Sequence, residues 1–162
     1  MHTYNMPYNC EKIDDKMQLN FPQNTIKLRI QDNINQIYDP VRKKWFQFSP
    51  EEYVRQHVIQ YLIHQKEIPL SLIAVEKQIE VNNMKKRFDL LVFNLKACPI
   101  ILIECKAPEV ELNENVILQI ANYNTVFKVK YLFVTNGLQH YCYWLNQNNY
   151  SRIKELPEFD KL

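Results

Sequence analysis

Two acids sit where acids are costly. Asp89 lies in the run Arg87-Phe88-Asp89-Leu90-Leu91-Val92-Phe93, and Glu104 in Ile100-Ile101-Leu102-Ile103-Glu104-Cys105-Lys106. Runs this short, apolar and β-branched read as buried strands, where an ionised side chain costs several kcal/mol unless it is paired or binds a cation. If the two runs pair as antiparallel neighbours, the start of the first meets the end of the second and Asp89 comes beside Glu104. Two carboxylates that close either retain a proton or hold a divalent cation between them. Oxygen ligands suit Mg2+ or Mn2+ better than Zn2+, because no cysteine or histidine has suitable ligand spacing nearby. Side chains repeat every two residues along a strand, so Lys106 shares the face of Glu104. A cation lowers the pKa of a bound water and neutralises phosphate charge, and an ammonium orients the water or stabilises the transition state. The cluster is equipped for phosphoryl chemistry.

The flanking elements must bring these groups together. Ser49-Pro50-Glu51-Glu52 is a helix start with a capping serine, proline at the first helical position and an acid three residues after the serine. The helix is expected to run to about Lys66. Val54, Val58, Tyr61 and Leu62 form its inward side; Glu51 falls on that side, whereas Glu52 points away and reads as a capping residue. An acid in a first turn is also favoured by the helix dipole, so both a site role and a purely local role stay open for Glu51. His57 and His64 share a face, but no third ligand is spaced to join them. Strands are expected over 70–81, 88–93 and 100–106, the last apolar on both faces and therefore central. A helix over 113–129 puts Val116, Ile120, Tyr123 and Phe127 on one stripe with Gln119 beside it. Strands over 131–135 and 140–145 follow.

Residues 1–48 read as an extension that packs on the core, irregular to residue 24 and then extended. It contains a β-hairpin around Asp39-Pro40, with Arg42, Lys43 and Lys44 near a solvated tip. Residues 49–145 form the core and 146–162 a polar tail. The expected fold class is α/β, with a mixed central sheet flanked by helices.

Composition narrows the function. The chain has 162 residues, 46% hydrophobic and 23% charged, which suits one globular domain. Gly137 is the single glycine, so no glycine-rich phosphate loop exists and no nucleotide cofactor is expected. A net charge of +2 neither announces nor forbids a nucleic-acid binder. Cys10, Cys98, Cys105 and Cys142 lack CxxC spacing, and no signal peptide or membrane-length apolar run is present. The expectation is a cytoplasmic protein with reduced thiols, in which the sequon Asn149-Tyr150-Ser151 carries no meaning.

Asp89 followed by Glu104-Cys105-Lys106 resembles the D…ExK signature of the PD-(D/E)xK nuclease superfamily, and the element order resembles its αβββαβ restriction-endonuclease-like core. Pro50-Glu51-Glu52-Tyr53-Val54-Arg55-Gln56, Arg87-Phe88-Asp89, Ile103 to Pro108 and Gln119-xxx-Tyr123 are similar to the N-terminal nuclease domain of type I restriction enzyme motor subunits, over roughly Phe46 to Leu145. The resemblance implies a metal-dependent endonuclease acting on DNA. Asp89, Glu104 and the Cys105 carbonyl would hold Mg2+ or Mn2+, with Glu51 as the helix acid and Lys106 at the water. Gln119 and Tyr123 would approach the DNA or brace the site. The motor subunits continue into a helicase, whereas here no P-loop follows. A stand-alone domain is therefore expected, acting as a homodimer or with helicase or methyltransferase subunits in trans. The alternative is a non-catalytic nucleic-acid-binding or assembly module that places Arg42, Lys43, Lys44, Lys85, Lys86 and Arg87 on phosphates.

Overall fold

The computed structural model of the chain describes residues 17–76, 78–81, 84–146 and 149–162, with residues 78–81, 84–86 and 123 described by backbone alone. Cys10 and most of the lead-in lie outside the described residues. Three strands, β1 (Leu28–Gln31), β2 (Ile34–Asp39) and β3 (Lys44–Gln47), form an antiparallel sheet in that order. Asp32 and Asn33 turn the chain from β1 to β2 at φ values of 52° and 61°. Short polar side chains tolerate this left-handed geometry, and its twist suits a two-residue hairpin. Asp39 holds the next turn, its Oδ1 accepting from the N–H groups of Val41 (2.7 Å) and Arg42 (2.8 Å). The expected hairpin is thus present, and the extended stretch expected before it forms β1.

Helix α1 (Pro50–His64) starts as its sequence predicts, with Ser49 Oγ accepting from the N–H of Glu52 at 3.1 Å. Beyond it come β4 (Ile73–Val75), β5 (Gln78–Val81), β6 (Met84–Arg87), β7 (Leu90–Phe93), β8 (Pro99–Cys105), α2 (Glu114–Phe127), β9 (Tyr131–Thr135), β10 (His140–Asn146) and β11 (Asn149–Ile153). Six strands make the central sheet in the order β11-β10-β9-β8-β7-β4. The β8–β9 pair is parallel, joined through α2 as a parallel crossover requires, and the other pairs are antiparallel. The mixed α/β sheet expected from sequence is present.

Strand β8 is central and buried on both faces. Ile101, Ile103 and Cys105 join Val54, Val58, Ile59 and Leu62 of α1 in one core, while Leu102 joins Ile120 of α2, Leu91 and Leu132 in the other. Period-two alternation therefore feeds two separate cores from one strand.

Two expectations need correction. The strand read over 70–81 is a 3-10 turn at Leu70–Leu72, then β4 and β5 separated by Glu76 at φ 47°. Opposite this break, Phe88 and Asp89 separate β6 from β7, so Asp89 lies in a bend rather than within a strand. The Glu76 N–H donates to the Asp89 carbonyl at 2.9 Å and pins the joint. The hairpin breaks here because Glu76 and Asp89 turn their carboxylates toward a buried arginine of α1 while Phe88 sinks into the α2 core. In addition, the polar tail supplies edge strand β11, and Leu156 is buried in the α1 core. Among the described residues no helix is long and apolar enough to cross a membrane.

Candidate active site

The cap at Ser49 points the first turn of α1 at the start of β7 and the end of β8. Leu90 pairs with Ile103, so the next residues outward are Asp89 and Glu104, which become neighbours as antiparallel pairing predicts. Asp89 Oδ2 accepts the Cys105 N–H at 2.7 Å, which ties the bend to the end of β8. Lys106 Nζ donates to Glu104 Oε1 at 2.7 Å, the same-face contact expected from a two-residue spacing. Glu51 completes the cluster: its oxygen lies 3.3 Å from Arg55, and its charge is felt by both Glu104 and Lys106.

The electrostatics follow from this crowding. Glu104 is only 6% exposed. Burial, then repulsion by Asp89, lifts its pKa to about 7, against the opposing pull of Lys106. Burial and Asp89 also raise Glu51, opposed by Arg55 and Lys106. Lys106 is held above the ordinary lysine range: burial works against its charge, but Glu104, Asp89 and Glu51 outweigh it. The Cys105 thiol is fully buried and pushed up by that burial, which disqualifies it as a nucleophile and leaves its main chain as its contribution.

Arg55 is the group to which sequence reasoning assigned no role. It is 3% exposed. One terminal nitrogen donates to Asp89 Oδ1 at 3.0 Å and to Glu51 at 3.3 Å; the other reaches Glu52 at 2.5 Å and Glu76 at 3.0 Å. Burial opposes its charge, yet Asp89 and Glu52 carry its pKa above the arginine range. Its i,i+4 spacing from Glu51 and i,i+3 from Glu52 were visible in the sequence as a pairing signal. The long-range partners were not.

Other placements differ from expectation. Glu52 does not point away: it is 7% exposed and binds Arg42, Arg55 and Gln56. Arg42 leaves the hairpin tip for the interior, where it pairs with Asp39 (2.6 Å), Glu52 (2.6 Å) and Glu76 (2.5 Å). It is therefore not available to phosphates in this arrangement. Arg87 is exposed and pairs with Glu76. Gln119 lies on the exposed side of α2. The side chains of Lys85, Lys86 and Tyr123 lie outside those described.

The donor set suits a hard divalent cation in kind, because carboxylates with raised pKa values are anions short of compensation. Asp89 and Glu104, with Glu51 and the Cys105 carbonyl, are the groups that could hold it. Among the described residues no three His, Cys, Asp or Glu side chains already stand at metal-holding positions.

The chain matches the family described as Type I restriction enzyme R protein N terminus (HSDR_N) over residues 50–157. Its fold is similar to a fragment structure assigned as an HsdR subunit of a type I restriction enzyme from Vibrio vulnificus YJ016, with a TM-score of 0.54 at 18% identity. That likeness covers 71% of this chain and 24% of the other, so it spans about a quarter of that fragment's length. No curated protein matches the chain. The matched span contains α1, both acid-bearing segments, Lys106 and α2, and the chain accordingly belongs to the family of type I restriction enzyme R protein N-terminal domains.

Proposed function

We propose that the chain is a divalent-metal-dependent deoxyribonuclease that hydrolyses phosphodiester bonds. Asp89 and Glu104 would be ligands of Mg2+ or Mn2+, with the Cys105 carbonyl and Glu51 in support, and Lys106 would act at the attacking water. The observation that carries this reading is Glu104: a buried carboxylate at the end of the central strand, crowded by Asp89 and bonded to Lys106, with its pKa lifted to about 7. Such an arrangement is costly to a fold and useful to a cation. When bound, the ion supplies charge neutralisation at the phosphate and acidifies water. Arg55 and the Cys105 N–H hold Asp89 in one orientation. Lys106, steadied by Glu104, would orient the attacking water by a hydrogen bond or stabilise the charge developing on a non-bridging phosphate oxygen. Family membership supports DNA as the substrate, and association with restriction-system subunits in trans or with a second copy of the chain.

The test is cleavage of duplex, single-stranded and branched DNA with Mg2+ or Mn2+. Asp89→Ala and Lys106→Ala are expected to reduce the rate by about a hundredfold or more. Absence of cleavage on all three substrates, or survival of activity in either variant, would sink the proposal. One observation favours a binding or assembly module without turnover: both Asp89 oxygens and one Glu104 oxygen already have partners within the protein. Calorimetric titration with Mn2+ separates the two. A site lost on Asp89→Asn supports the nuclease, and no site at all supports the module.

A further inference from the structure

The sheet β1-β2-β3 has two faces of different chemistry. Toward the core it turns Ile37 and Asp39, both fully buried. The register sets Arg29 beside Gln36, Gln36 beside Gln47, and Tyr38 beside Trp45. These residues alternate with the buried ones and so share the outer face. Lys27 extends the same row: its carbonyl accepts the Tyr38 N–H at 3.0 Å, and its ammonium lies 5.5 Å from the centre of the Tyr38 ring. The Arg29 guanidinium lies 4.2 Å from the Trp45 ring centre and donates through Nε to Gln36 Oε1 at 2.7 Å. The Tyr38 and Trp45 rings stand 5.2 Å apart at 57°.

The contrast with the inner side is one of compensation. Arg42, three residues beyond Asp39, meets three carboxylates in the interior. Among the described residues neither Lys27 nor Arg29 has an ion pair, and the outer face holds no carboxylate. It therefore presents two uncompensated cations, two partly exposed aromatic rings and the amides of Gln36 and Gln47. Such a surface is complementary to a chain that is anionic along its backbone and planar in its side groups.

We propose that this face binds single-stranded nucleic acid, with phosphates against Lys27 and Arg29 and bases against Trp45 and Tyr38. Arg29, its guanidinium 4.2 Å from the indole centre, adds a planar cation on which a base can stack. The amides are placed to hydrogen-bond base edges. A duplex hides its base faces, so an unpaired strand is the form this chemistry selects. The surface lies outside residues 50–157, the span of the family match, and is independent of the hydrolysis proposed for the carboxylate cluster.

The experiment is titration of the full 162-residue chain with a labelled oligothymidylate in a chelator, so that cleavage does not enter. Anisotropy reports binding, and tryptophan fluorescence is followed in a Trp144→Phe background, where Trp45 is the remaining tryptophan. Binding should quench Trp45 and weaken with salt. Arg29→Ala and Trp45→Leu should each weaken it about tenfold, the loss of roughly one stacked or charged contact. Heparin, a polyanion without bases, should neither quench Trp45 nor lose affinity on Trp45→Leu. Failure to quench, equal or better binding of the matched duplex, or unchanged affinity in Arg29→Ala would overturn the proposal. An acidic polypeptide such as polyglutamate competing as well as the oligonucleotide would overturn it in favour of a protein partner. Absence of nuclease activity with this binding intact would remove the hydrolysis and leave the surface; the reverse result would do the opposite.

Discussion

At the end of an apolar strand, beside two further acids, Glu104 holds its proton more tightly than an exposed carboxylate does. Between the ordinary carboxylate range and about 7, the folded protein keeps a proton that the unfolded chain gives up. Glu104 therefore makes the metal-free protein less stable as pH rises through that window and more stable on acidification. Urea unfolding with a chelator present should show this slope, and Glu104→Gln should flatten it. A cation competes with the same proton, so Mn2+ affinity measured by calorimetry should climb with pH up to about 7 and then level off. A pH-independent affinity below 7 would argue that Glu104 is not a ligand.

Elements bring the cluster into register through their ends. The Ser49 cap aims α1, the Glu76–Asp89 joint breaks the hairpin, and β9 receives the Lys106 N–H through the Thr135 carbonyl at 2.8 Å. Directly beyond β9, Gly137 adopts φ 86° and its carbonyl accepts the Asn20 N–H at 2.7 Å, docking the N-terminal segment. A Cβ there would come within 2.7 Å of the Leu19 side chain and 3.1 Å of Val54. Gly137→Ala should cost about 1–2 kcal/mol from the left-handed backbone alone. Thermal unfolding would check it, and an unchanged midpoint would mean that the backbone at residue 137 is not held at this positive φ.

For the whole molecule, charge joins the N-terminal sheet to the core. Glu52 gives one oxygen to Arg42 and the other to Arg55, and Glu76 divides its oxygens between the same two arginines. Removing either cation leaves buried carboxylates uncompensated, so Arg42→Met and Arg55→Met should each cost about 3–5 kcal/mol. Because the two arginines share both acids, the double variant should depart from the sum of the singles by about 0.5–3 kcal/mol in urea unfolding. Additive losses would mean that the two halves of the network act separately.

Asp89, Glu104 and Lys106 were legible as a cluster because strand alternation and antiparallel pairing are local, periodic rules, and both hold here. Apolarity on both faces marked β8 as central, and helical periodicity marked both helices and put Glu51 on the inward side of the first, leaving its role open. Other features depended on contacts between distant segments, which no periodicity encodes. The wheel sent Glu52 outward because it knew nothing of Arg42, which arrives from another sheet. Hydropathy made Arg42 a solvated tip and residues 70–81 one strand, since neither buried counter-charges nor a joint at Glu76 leave a pattern in the chain itself. The sequence by itself determined which ionisable groups were available and which segments of the chain carried them. The tertiary structure alone decided which charges neutralise one another, because that depends on burial and on partners such as Asp89 and Arg55, 34 residues apart.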